Sequence, residues 1–104
     1  MEVLLNLEEA QKIVDEIEML CEGGGSYELL SLQAVHRIVS LLRLSLADTL
    51  PIGGKLSSVE SWATILFSDR SHVDWGGVST VRSYIKRDCA ALRSILRDAG
   101  AKEA

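Results

Sequence analysis

The chain has 104 residues, of which 47% are hydrophobic, 25% charged and 5% aromatic, with a net charge of −4. That length suits a single domain over residues 1–104, able to bury about two thirds of its unfolded surface without disulfide or metal staples. The composition excludes a disordered or collagen-like chain, the acidic balance speaks against a nucleic-acid binder, and the shortage of aromatics implies a core of Leu, Ile, Val and Ala.

The first predicted helix covers about residues 7–22. Asn6 with Glu9 three residues on forms a capping-box pattern, and Leu7, Ala10, Val14, Ile17 and Cys21 recur at spacings of three and four. Gly23-Gly24-Gly25 ends it. The second helix covers about 26–49, with Ser26 as its expected N-cap. Its apolar residues, among them Leu30, Ala34, Val35, Ile38, Leu41 and Leu46, sweep an arc of roughly 200°, about twice what one buried face of a surface helix requires. The expectation is therefore a central rod enveloped by the other three helices. Pro51 and Gly53-Gly54 close this segment. The third helix covers about 57–70, opening on the capping-box pattern Ser57 to Glu60, with Val59, Trp62, Ala63 and Leu66 as its stripe. The fourth covers about 78–99, capped by Asp74 or Ser79 and stopped by Gly100, with Val81, Ile85, Cys89, Leu92 and Leu96 facing inward. No stretch alternates with period two, so strands are not expected. The fold class is all-α, an antiparallel up-down-up-down four-helix bundle.

Charge is unevenly distributed. Residues 1–28 hold eight acids and one base, whereas the remainder holds seven acids and ten bases. The acidic first segment and the basic last one can pair within one chain or between two. The N-terminus lacks the basic flank of a signal peptide, and no run of about 18 uninterrupted apolar residues marks a membrane span. Cys21 and Cys89 fall at apolar helical positions, which suits buried thiols in a reducing cytoplasm.

Several residues are candidates for chemistry. His36 falls on the polar side of the second helix, with Ser40 one turn later and Arg43 two turns later. A mid-helix exposed histidine in a four-helix bundle resembles the histidine phosphotransfer domains, which implies a phosphoacceptor imidazole with a small residue one turn on. Those domains carry His-x-x-Lys-Gly; here the run is His36-Arg37-Ile38-Val39-Ser40, so Arg37 or Arg43 would have to supply the cation. Ser71, His72 and Asp74 have the residue types of a hydrolase triad, yet adjacent positions on one loop cannot orient one another as a triad needs. Asp69, His72 and Asp74 are too few for a metal site, and no metal or cofactor is expected. Trp75-Gly76-Gly77 with Tyr84-x-x-x-Asp88 is similar to the turn and export signal of the small helical-hairpin WXG proteins, although here both are crowded into the last third of the chain. Trp75 reads as a lid over the bundle end. Arg82, Lys86, Arg93 and Arg97 make a basic stripe on the fourth helix that can grip phosphates or pair with acids of the first. Asp88 lies inside an apolar stripe, where a carboxylate requires a hydrogen-bonding partner.

The reading that these features favour is a small cytoplasmic protein-interaction module with no enzymatic activity, possessing neither a nucleic-acid nor a membrane partner. It binds a protein partner or a second copy of itself. Its contact residues are Arg82, Lys86, Arg93, Arg97 and Trp75. The alternative is a phosphotransfer-like signalling domain using His36. The motive for the first is apolar surplus: Met19, Leu29 and Leu44 fall on otherwise polar faces, and apolar surface without a covering marks partner sites.

Overall fold

The computed structural model describes residues 6–23, 28–67 and 74–103. They form four helices, α1 (Leu7–Gly23), α2 (Leu29–Leu46), α3 (Gly53–Phe67) and α4 (Val78–Glu103), with no strand among the described residues. The chain is thus an all-α four-helix bundle. Helices adjacent in sequence pack together, and α4 closes the arrangement by lying against both α3 and α1. The core between them is aliphatic, with Val14 and Ile17 of α1, Val39 and Leu42 of α2, Leu56 and Leu66 of α3, and Ile85, Leu92 and Leu96 of α4 all buried.

The α1 cap follows the expected pattern. The backbone N–H of Glu9 donates to Asn6 Oδ1 at 2.7 Å, and Asn6 Nδ2 donates back to Glu9 Oε1 at 2.6 Å. One orphan N–H of the first turn is thereby satisfied, and the second bond holds the capping side chain in place. Ser26 and Tyr27 lie outside the described residues. Glu28 sits at the α2 N-cap position, without a side-chain cap bond, and instead accepts from Ser31 Oγ at 3.2 Å. The helix ends at Leu46, three residues earlier than predicted, where Thr49 and Leu50 both donate backbone bonds to the Leu46 carbonyl in a tight turn ahead of Pro51.

Three predicted boundaries are corrected. Segment three starts at Gly53 rather than Ser57, because Ile52 is buried as an anchor and its carbonyl accepts from Leu56 N–H at 2.9 Å, drawing both glycines into the first turn. Ser57 and Ser58 therefore lie within the helix and bond to other helices instead of capping. At the other end, α4 runs through Gly100 to Glu103. A helical glycine costs only about 1 kcal/mol against alanine, and a Cβ there would meet the Leu7 side chain at 3.6 Å, so this position packs against the start of α1. The residue ahead of α4 is Gly77, neither Asp74 nor Ser79. Both Gly76 and Gly77 have φ of +96°, a left-handed conformation that admits glycine freely.

The predicted central rod is also corrected. Only Val35, Val39, Leu42 and Leu46 of α2 are buried. The helix has two packing neighbours, α1 and α3, and two neighbours cover only part of a 200° apolar arc. Its uncovered part reaches solvent at Leu30, 81% exposed, and at Leu41. The expected surplus residues, Met19, Leu29 and Leu44, are 71%, 62% and 84% exposed.

Asp88 is 1% exposed, as its place in the stripe of α4 required. Ser58 Oγ of α3 donates to its Oδ2 at 2.5 Å, and Lys55 Nζ lies 3.9 Å from Oδ1. This pair fixes the register of α3 on α4. Replacing the donor leaves a buried carboxylate short of a partner, so Ser58→Ala is expected to cost about 1–3 kcal/mol, read as a lowered midpoint in thermal unfolding. Ser57→Ala, next to it on the exposed side, is expected to stay within about 0.5 kcal/mol. Equal midpoints for Ser58→Ala and the parent chain would show that Asp88 does not need this bond.

Candidate functional site

The basic stripe of α4 faces α1, and three of its four members are engaged there. Arg93 Nε donates to Asp15 Oδ1 at 2.7 Å and Nη1 to Glu18 Oε1 at 3.2 Å. Lys86 Nζ pairs with Glu22 at 2.9 Å, and Arg82 Nε donates to the Cys21 carbonyl at 3.0 Å. The carboxylates hold the Lys86 ammonium above its usual range. For Arg93, partial burial works against the charge, and the bonds to Glu18 and Asp15 outweigh it. The acidic first helix and the basic last one therefore pair within the chain. Arg97 is exposed without an ion pair among the described residues.

Beneath this layer lie the two thiols. Both are buried and unbridged, and burial, the larger cause, pushes each up to about 12. The proximity of Cys89 adds to the shift of Cys21. A thiol held protonated in this way is neither a nucleophile nor a metal ligand near neutral pH. Among the described residues no group of three or more His, Cys, Asp or Glu is placed to hold a metal ion.

His36 belongs to a polar cluster that ties α2 to α3. Its Nδ1 lies 2.8 Å from Glu60 Oε2, while Arg43 Nη2 donates to Glu60 Oε1 at 2.7 Å and to Ser57 Oγ at 3.4 Å. A carboxylate only accepts, so Nδ1 carries the proton, and in the neutral ring Nε2 holds the lone pair. The imidazole is nearly half exposed. Desolvation alone would raise the Glu60 carboxyl, but the bonds from Arg43 and His36 prevail and hold it below its ordinary value. Glu60 was legible only as a capping acid. It is the sole acid of α3, and His36 and Arg43 stand two turns apart on one side of α2, but their meeting depends on knowing which helices face each other.

Trp75 belongs to an aromatic cluster where the short turn at residues 74–75 meets α3 and α4. Its ring is edge-on to Trp62 at 5.2 Å, Trp62 lies against Tyr84 at 4.7 Å, and the Arg87 guanidinium sits 5.1 Å from the Tyr84 centroid. The predicted lid is thus half-exposed and held from the side. Gly76 shapes this turn: a Cβ there would come within 3.1 Å of Thr80, whose Oγ1 donates to the Gly76 carbonyl at 3.0 Å. His72 and Ser71 lie outside the described residues, and Asp74 is exposed.

An apolar groove of about 470 Å³ runs between α1 and α2, lined by Glu16, Met19 and Leu20 on one wall and Ala34 and Ile38 on the other. Helical periodicity places Leu30 and Leu41 beside Ala34 and Ile38, extending the groove onto the outer face of α2. Over Leu29–Leu46 the mean hydropathy of 1.3 and the 18-residue length also meet the compositional test for a membrane-crossing helix, in spite of Arg37 and Arg43; core helices meet that test as well.

Comparison with protein-family models, with curated proteins and with solved structures finds no match to this chain.

The Glu60 cluster makes stability depend on pH in a defined direction. Because the folded carboxyl is held below its ordinary value of 4.5, its stabilisation is complete above that pH and is lost as the pH falls through the lowered value. Glu60→Gln is expected to destabilise the chain by about 1 kcal/mol at pH 7. Denaturant titrations should show that gap closing as the pH falls below 4.5, and a gap of constant size would contradict the assignment.

Proposed function

We propose that this chain is a small helical protein-interaction module, acting in the cytoplasm, that docks a protein partner on the outer face of α2 and the adjoining α1–α2 groove. The observation that carries this reading is the exposure of Met19, Leu30, Leu41 and Leu44 together with the apolar groove beside them. Monomeric domains rarely leave contiguous apolar surface of this kind open to water, because each exposed leucine forfeits about 1.5–3 kcal/mol of available burial energy. Buried, unbridged thiols accord with a reducing compartment. The reading moves the expected contact region away from Arg82, Lys86 and Arg93, whose side chains are already engaged by α1. Trp75, beside Tyr84 and Arg87, keeps the side-chain types that anchor interfaces and suits a subsidiary contact.

The test uses the double variant Leu30→Glu/Leu44→Glu. Both positions lie outside the core, so unfolding free energy is expected to change by no more than about 0.5 kcal/mol. Proteins retained by the immobilised parent chain should be lost by the double variant at equal loading. An unchanged set of retained proteins would refute the docking face.

One observation favours a second reading, phosphotransfer through His36. Glu60 holds the Nδ1 proton and leaves Nε2 as the nucleophile of a half-exposed ring. Arg43 is bound to Glu60, which leaves Arg37 as the neighbouring cation. In that reading Nε2 attacks the phosphorus of a small phosphodonor, a P–N bond forms, and the donor's leaving group departs. Acid-labile phosphate on the parent chain, absent from His36→Gln, is the expected result, and no label with acetyl phosphate or phosphoramidate would dismiss it.

A further inference from the structure

The docking face described above carries a more specific assignment, which rests on reading that face as an interaction surface. We infer that its occupant is a second copy of this chain, related by a twofold axis running along the α1–α2 groove.

The acids of α1 that face α4 are matched by Arg93 and Lys86, so they are not available to a partner. On the groove side the situation differs. Glu16 lines the groove, and Arg37 stands exposed on α2 next to Ile38, which lines the other wall. Neither takes part in an ion pair among the described residues. Because Glu16 shares the groove with Ala34 and Ile38, it lies at the same level along the bundle as Arg37. A rotation of 180° about the groove lays α1 of one copy over α2 of the other while preserving that level. Each Glu16 then faces the Arg37 of its partner, twice by symmetry, and each exposed leucine row meets the other groove. An isologous interface needs this self-complementarity. A hydrophobic strip flanked by one acid and one base, both unmatched, has it.

Area supports the same occupant. The 18 residues of α2 at 1.5 Å per residue make a face about 27 Å long, and two helices side by side are about 20 Å across. That is on the order of 500 Å² in projection and more as accessible surface, the scale of the ~800 Å² that one partner contributes to a standard interface. The shape is that of one layer of helices laid on an identical layer, with Leu30 and Leu41 filling the groove of the opposing copy.

The assignment is tested by sedimentation equilibrium of the full chain over a concentration series at low and moderate salt. A dimer is expected, with association weakened by Glu16→Arg and by Arg37→Glu about tenfold each, restored by the double exchange Glu16→Arg/Arg37→Glu, and abolished by Leu30→Glu. Circular dichroism of each variant confirms that the helices persist. A monomeric parent chain at high concentration, or a dimer indifferent to all four variants, overturns the second copy as occupant. The two readings remain separable. A monomer that still retains proteins through Leu30 and Leu44 would keep the docking face and remove self-association. A monomer that instead cosediments with phosphatidylcholine–phosphatidylserine vesicles would remove both.

Discussion

Each helix of this bundle has two flanking neighbours, and that constraint governs what its sequence can hide. Two neighbours bury a strip of roughly a third of a helix's circumference, which α1 and α4 fill with a single apolar stripe each. α2 carries a much wider arc, roughly 200°, and packs extensively on α1 and α3 alone. Its excess leucines are not a packing fault that rotation could cure, because turning α2 to bury Leu30 would expose Val39 on its other flank. The uncovered apolar surface is therefore a fixed consequence of the pattern on α2 combined with the number of helices.

Polar contacts then decide which helix lies where. Aliphatic stripes of similar width would tolerate several arrangements, since hydrophobic burial has no direction. Arg93 between Asp15 and Glu18, and Lys86 beside Glu22, join α1 to α4 along its length. Ser58 on Asp88 pins α3 to α4 at one level, and Glu60 with Arg43 and His36 pins α2 to α3. Apart from Asp88 these groups are exposed or only partly buried, so each pair adds little stability; their effect is to penalise the alternatives, in which a charge would meet an apolar surface.

Much of this was legible in the residues. The capping pair Asn6 and Glu9, the stripes of α1 and α4, the end of α2 ahead of Pro51, and the need of Asp88 for a hydrogen-bonding partner all follow from local spacing. What failed was tertiary. Gly53-Gly54 and Gly100 look like breaks in the local pattern, yet glycine only permits a break; the anchoring of Ile52 and the contact of Gly100 with Leu7 make helix the better outcome. The width of the α2 arc suggests burial, but width records capacity for contact, whether that contact comes from the same chain or from another. The Glu60 cluster was invisible for a related reason: its three side chains come from two helices whose facing sides no local pattern specifies.

The arrangement has a further consequence for how the molecule opens. α4 bridges α1 and α3 directly, so those three helices retain their mutual contacts when α2 is absent, and α2 has the least contact with the rest. Its release breaks the Glu60 tie and uncovers its own four buried aliphatic side chains with the α1 and α3 surface they cover, leaving the ion pairs of α1 with α4 and the Asp88 hydrogen bond in place. The amide protons of α2 are thus expected to exchange with solvent ahead of those in the interiors of the other three helices.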